Sequence, residues 1–162
     1  MTQAMTTPSY QKILVPHDGS EMSDRALMHA SYLTKLSGAE LVIVHVLEPE
    51  MIPPSALLAF IKPETGGLEG AKENLRSAFE GAAAKMLEER IKTVKAAAGA
   101  DKVSYITKTG KPVDEIVNES ESGDYDLVVM ASSRIASTVR VLGSNARRVI
   151  DSIRKPVLLV HE

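Results

Sequence analysis

The chain has no cysteine and no tryptophan, its aromatics amount to 4%, and it has no long apolar run. Without cysteine there is no disulfide framework and no thiolate chemistry, which fits a reducing cytoplasm. So few aromatics leave no stacking platform for single-stranded nucleic acid, and the core has to be built from Val, Ile, Leu, Ala and Met. A formal net charge of -2 provides no field that would draw nucleic acid or an anionic membrane. No apolar stretch reaches the ~18 residues of a membrane span. The opening MTQAMTTPS is polar throughout and lacks the apolar centre of a signal peptide. These absences predict a cytoplasmic protein with neither nucleic acid nor membrane as a partner.

What remains is a chain of 162 residues, the length of one ordinary domain. Residues 1–9 read as a disordered tail and 10–162 as a single domain. KILVPH at 12–17 is a short buried strand closed by the turn residues Asp18-Gly19-Ser20. Met22, Ala26, Leu27, Ala30, Leu33 and Leu36 keep helical spacing over 21–37, Ser20 can cap that helix, and Gly38 stops it. ELVIVHVL at 40–47 is almost continuously apolar, as a strand covered on both faces must be. Prolines and glycines crowd 48–70, which reads as a long surface loop with one helical turn at Ser55–Ile61. A helix over 72–98 ends at Gly99. A strand nearer the sheet edge covers 102–107, and a short helix over 113–122 starts behind Pro112. YDLVVM at 125–130 is a third buried strand. A polar segment leads to a helix opened by Gly143-Ser144, and VLLVH at 157–161 is the last strand. Such alternation places helices on both faces of a mostly parallel sheet. Ligands of open sheets of this kind sit at the carboxyl ends of the strands. That rule selects His17–Ser20, the segment after Val46, Thr107–Gly110 and Ala131–Ser144.

Three features there have usable chemistry. Asp18, at the end of the first strand, suits the polar edge of a base or the hydroxyls of a ribose; Asp-Gly is equally a common turn dipeptide. Gly143-Ser144 at a helix start suits phosphate, because the first turn exposes N–H groups, although Ser is also an ordinary cap. Ala131–Arg140 holds Ser132, Ser133, Ser137, Thr138, Arg134 and Arg140, a composition that fits phosphate contact and a solvated loop alike. The four histidines, His17, His29, His45 and His161, have no metal-ligand spacing, and His45 reads as a core histidine within its strand. There is no nucleophile elbow, Walker A sequence or G-x-G-x-x-G.

Taken in order, KILVPHDGSEMSDRAL, ELVIVHVLEP, GKPVDEIV with YDLVVMASS, and VLGSNARRVIDSIRKPVLLVHE resemble the universal stress protein family, from about Tyr10 to Glu162. The resemblance implies an α/β three-layer sandwich: a five-stranded parallel sheet in the order 3-2-1-4-5 with helices on both faces. It implies a homodimer through residues 157–161, which would cover an apolar edge. Binders of ATP in that family have the form G-x-x-G, nine residues, then G-S or G-T. Here the matching stretch is Ala131-Ser132-Ser133-Arg134, eight residues, then Gly143-Ser144. Both early glycines are replaced, so Arg134 either blocks a triphosphate or reaches it with its guanidinium.

By the same carry-over, Pro16, His17, Asp18, Val46, Met130 and Ala131 would surround the base and sugar, with Gly110 lining the neighbouring strand end. Gly143, Ser144 and Asn145 would hold phosphate, with Ser133 and Arg134 in the altered loop completing the nucleotide site. The expected ligand is an adenine nucleotide (ATP, ADP or AMP), with or without Mg. The altered loop also suits a shorter species such as AMP or a cyclic nucleotide. The expected function is a regulatory stress-response protein, non-catalytic or at most weakly hydrolytic toward ATP, with an unidentified protein partner. The alternative is a nucleotide-free, dimeric, chaperone-like interaction protein.

Overall fold

The computed structural model describes residues 6–49, 52–132 and 143–161. Five strands, β1 (Lys12–Pro16), β2 (Glu40–Leu47), β3 (Val103–Thr109), β4 (Leu127–Ser132) and β5 (Val157–His161), form one sheet. All neighbours are parallel, in the order β3-β2-β1-β4-β5, the order the family resemblance implies. The helices are α1 (Glu21–Ser37), α2 (Pro54–Phe60), α3 (Gly67–Ala98), α4 (Pro112–Ser122) and α5 (Ser144–Ser152).

The period-2 alternation of the strands sorts their side chains onto two faces. Ile13 and Val15 of β1, Leu41 and Ile43 of β2 and Leu127 and Val129 of β4 pack with Leu27 and Ala30 of α1 and Leu87 and Val94 of α3. Leu14, Val42, Val44 and Val128 face the other way, and Met130 meets Val113 of α4 and Ala146 and Val149 of α5. Burying each of these large aliphatic side chains contributes about 2 kcal/mol, so an aliphatic core is sufficient. Of the three buried polar residues of α1, two bond back to their own helix: Ser31 Oγ donates to Leu27 O at 2.7 Å, and Thr34 Oγ1 donates to Ala30 O at 2.9 Å. The Asp126 carboxylate accepts from the N–H groups of Gln11 and Lys12, tying the start of β1 to β4.

The 48–70 segment is more ordered than the loop expected of it. It contains α2, a single 3-10 turn at Pro63–Thr65, and the first residues of α3, which begins at Gly67 rather than 72. The reason lies in where each breaker falls. Pro54 sits in the first turn of α2, where a missing N–H costs nothing, and Pro63 opens the 3-10 turn. Gly66 and Gly67, at φ +87° and +62°, swing the chain into α3. Here prolines and glycines start helices. Among the described residues no helix is long and apolar enough to cross a membrane.

Candidate functional site

In this strand order β1 lies between β2 and β4, so the connections leaving β1 and β4 diverge and open a crevice at the carboxyl ends. A cleft of about 260 Å³ occupies it, walled by the end of β1, the ends of β2 and β4, and the start of α5.

The β1 wall is a tightly bonded turn. His17 N–H donates to Val44 O at 2.9 Å, the last bond between β1 and β2. The His17 ring is fully buried. Its Nδ1 accepts from Gly19 N–H at 3.1 Å, so the proton is on Nε2, which donates to Asp24 Oδ1 at 2.9 Å. Arg90 of α3 closes on the same carboxylate, Nε to Oδ1 at 3.0 Å and Nη2 to Oδ2 at 3.2 Å. The His17 carbonyl is taken by His45 Nδ1–H at 2.7 Å, which shows what that half-buried strand histidine does. Burial lowers the His17 pKa below its ordinary 6.5, and the bond to Asp24 opposes this without reversing it. Asp18 Oδ1 accepts from Ser20 N–H at 2.9 Å and Ser23 Oγ at 2.8 Å. Desolvation pushes the Asp18 carboxyl up, but the bonds from Ser20 and Ser23 outweigh it and hold the group below the usual aspartate value.

The β2 wall offers backbone. Odd residues of β2 face β3, as Gly110 N–H to Leu47 O shows, while Val44 faces β1. By the same alternation the N–H and C=O of Val46 project past the end of β1. Among the described residues no backbone group meets them.

The α5 wall is a helix start. Ser132 Oγ accepts from Gly143 N–H at 3.4 Å, and Arg147 N–H bonds the Gly143 carbonyl. Among the described residues the N–H groups of Ser144, Asn145 and Ala146 have no acceptor, and no side chain caps the helix. These donors and the positive end of the helix dipole make this wall electropositive. Among the described residues no group of His, Asp or Glu is arranged to hold a metal ion.

Nine of the twelve residues singled out from sequence line this cleft: Pro16, His17, Asp18, Val46, Met130, Ala131, Gly143, Ser144 and Asn145. Ser133 and Arg134 lie outside the described residues. Gly110 lines neither this cleft nor its neighbour; it packs against Glu115, whose Oε1 would stand 2.9 Å from a Cβ added there. Sequence reasoning missed Ser23, Val44, Ile116 and Ala146. Of these only Val44 lay in a run read as buried on both faces; for Ser23, Ile116 and Ala146 the inward spacing within their helices was the signal that could have found them. It missed a second, larger cavity altogether. That cavity, about 880 Å³, shares Asp18, Val46 and Asn145 with the first and extends toward α2 and α3.

Against known proteins, the model of the Universal stress protein family matches residues 9–161. Universal stress protein MJ0531 of Methanocaldococcus jannaschii is 34% identical over 154 residues, spanning 93% of this chain and 82% of that one. The solved structure of MJ0577 from the same organism superposes with a TM-score of 0.71 at 27% identity, over 94% of this chain and 96% of its own. A universal stress protein in complex with cAMP has the same fold, with a TM-score of 0.65 at 24% identity over 94% and 98% of the two chains. With a family match over nearly its whole length, a relative above 30% identity and the strand order that the motifs imply, the chain belongs to the universal stress protein family.

Proposed function

We propose that the chain binds an adenine nucleotide in the first cleft and acts as a regulatory module rather than an enzyme. The observation that supports this best is the pairing of two unsatisfied backbone surfaces across one cleft. At one end Val46 offers a donor and an acceptor side by side, which suits the N1 acceptor and N6 donor of adenine. At the other end the N–H groups of Ser144, Asn145 and Ala146 suit phosphate. Asp18, already held by Ser20 and Ser23, presents its remaining oxygen to a ribose hydroxyl or the base edge. The cAMP complex of a protein with this fold makes a short or cyclic nucleotide a reasonable ligand. Bound nucleotide would shift the population of surface conformations offered to a protein partner.

The same reading includes a homodimer. β5 is an edge strand, and Leu158 on it is 36% exposed. Antiparallel pairing of residues 157–161 across a two-fold axis would satisfy the open edge. Light scattering should then give twice the chain mass, and Leu158→Lys should give the monomer. A monomeric parent chain refutes this arrangement.

The test of nucleotide binding begins with protein purified without added nucleotide. It is denatured, and the released small molecules are separated by chromatography. The apo protein is then titrated calorimetrically with ATP, ADP, AMP and cAMP. Binding of at least one of the four, abolished in Gly143→Trp, is the expected result. No released nucleotide and no heat from any of the four would overturn the proposal and favour a nucleotide-free interaction protein.

A further inference from the structure

The second cavity has a volume within the range that encloses small organic ligands. Its apolar wall comes from Leu47, Ile52, Leu57 and Phe79. Two cations join that wall from α3: Lys72 and Arg76 stand one helical turn apart, on the side of the helix that carries Phe79. A separate observation concerns α2. Its sequence, PSALLAF, is mostly apolar, yet none of its residues is buried. Leu58 is 68% exposed, and Phe60 and the following Ile61 are also exposed. α2 touches α3, with Ala56 and Leu57 half-buried, yet it leaves most of its apolar surface open.

We infer that the cavity binds an amphipathic anion, an apolar chain ending in a carboxylate. The chain lies between α2 and α3, and the head group meets Lys72 and Arg76 at the rim. Those two side chains now pair with Glu69, Glu73 and Glu80 on exposed turns of their own helix. Exposed pairs of this kind are weak and exchange readily for another carboxylate. The cavity's own carboxylates, Asp18 and Glu48, come from the strand ends on the other wall. One oxygen of Asp18 is already held by Ser20 and Ser23. Among the residues that line the cavity, the carboxylates thus lie at the strand ends and the cations on α3, which sets the direction in which such a ligand lies. Because Asp18, Val46 and Asn145 line both spaces, a chain in the second cavity touches the wall of the first. The inference stands without the nucleotide reading.

The test is calorimetric titration of the full chain with dodecanoate below its micellar concentration, with dodecyltrimethylammonium as the cationic counterpart. Saturable binding of dodecanoate, tighter than that of the cation, is expected. Leu57→Gln, at a half-buried position on α2, should weaken dodecanoate by about tenfold through lost apolar contact, with an unchanged urea midpoint. Lys72→Gln combined with Arg76→Gln should erase the preference for the anion while leaving adenine-nucleotide titration untouched. Absence of saturable heat, equal or tighter binding of the cation, or undiminished binding in both variants would overturn the inference. So would co-sedimentation with phosphatidylglycerol vesicles without binding of the monomeric amphiphile, which would instead make the apolar surface of α2 and α3 a membrane contact.

Discussion

The two walls of the first cleft are built on opposite principles. In the turn from His17 to Ser23 nearly every polar group already has a partner inside the protein: the His17 ring, its carbonyl, one Asp18 oxygen and the Asp24 carboxylate are all bonded. At the start of α5 the first-turn N–H groups have none among the described residues. A satisfied wall recognises by shape and loses stability when altered. An unsatisfied wall supplies affinity, and its alteration costs the protein little. Under the proposed nucleotide binding, the cleft separates positioning from capture, and substitutions on the two walls should fall into different classes of effect.

The largest effect belongs to the satisfied wall. Asp24→Ala removes the acceptor shared by His17 Nε2 and the Arg90 guanidinium, leaving a buried ring N–H without a partner. An unmade bond of that kind costs roughly 2 kcal/mol. Urea unfolding should show a lower midpoint with an unchanged slope, and Asp24→Asn, which keeps one acceptor, should lose less. If Asp24→Ala unfolds at the parent midpoint, the bonded turn contributes nothing and the contrast between the walls collapses.

Next in size is a substitution on the open wall. Ser144 is the first residue of α5, and Gly143 before it has φ -55° and ψ 142°, an extended conformation compatible with a following proline. Ser144→Pro therefore fits the helix while removing one N–H and the hydroxyl. Stability should stay within about 0.5 kcal/mol of the parent. AMP should bind about tenfold more weakly, the loss of roughly one charge-assisted hydrogen bond, whereas adenosine should be unaffected. Equal weakening of AMP and adenosine would show that the phosphate is held elsewhere.

Most of this site was legible because it is made of strand ends and helix starts, which are punctuated locally. Asp18-Gly19-Ser20 closes a β-branched run, and Gly143-Ser144 opens a helical pattern; both marks are short range. The same holds for β1, β2 and β4, whose apolar runs announce burial on two faces. What could not be read depends on distance along the chain. Asp24 and Arg90 are 66 residues apart, and nothing local pairs them. The second cavity arises from how α2 and α3 lie against the end of β2, a matter of tertiary packing alone. In the 48–70 segment the helical turn expected at Ser55–Ile61 is there as α2, but the 3-10 turn and the early start of α3 were not legible: proline and glycine both break and begin helices, and position within the turn decides which.

A third substitution separates backbone from space. Gly19 sits at φ +87°, and a Cβ there would find its nearest neighbour, Met86 Sδ, at a comfortable 3.8 Å. Gly19→Ala should still cost about 1 kcal/mol, because the strain is in the backbone and not in a clash. A neutral outcome in urea would mean the turn relaxes, and Asp18 would then not be rigidly presented.

The smallest effect comes from acid, and its sign follows from which nitrogen of His17 is free. Nδ1 accepts from Gly19 N–H, so protonation there would set two donors against each other. The folded protein accordingly resists the proton, and burial lowers the His17 pKa below 6.5. The charges that face the ring are Asp24 on α1, Arg90 on α3 and Asp18 in the turn; the two carboxylates favour protonation and Arg90 opposes it. Between the folded and unfolded values the unfolded chain binds the extra proton, so stability is full above about 6.5 and falls as pH drops through that value toward the folded pKa. Asp18 adds a second loss only at lower pH, as the carboxyl held by Ser20 and Ser23 is protonated. Urea midpoints compared at pH 7.5 and 5.5 should show the first loss in the parent chain, and His17→Gln should flatten it. A profile that stays equally steep in His17→Gln would place the titrating group outside this wall, leaving the turn as a fixed surface with no pH response of its own.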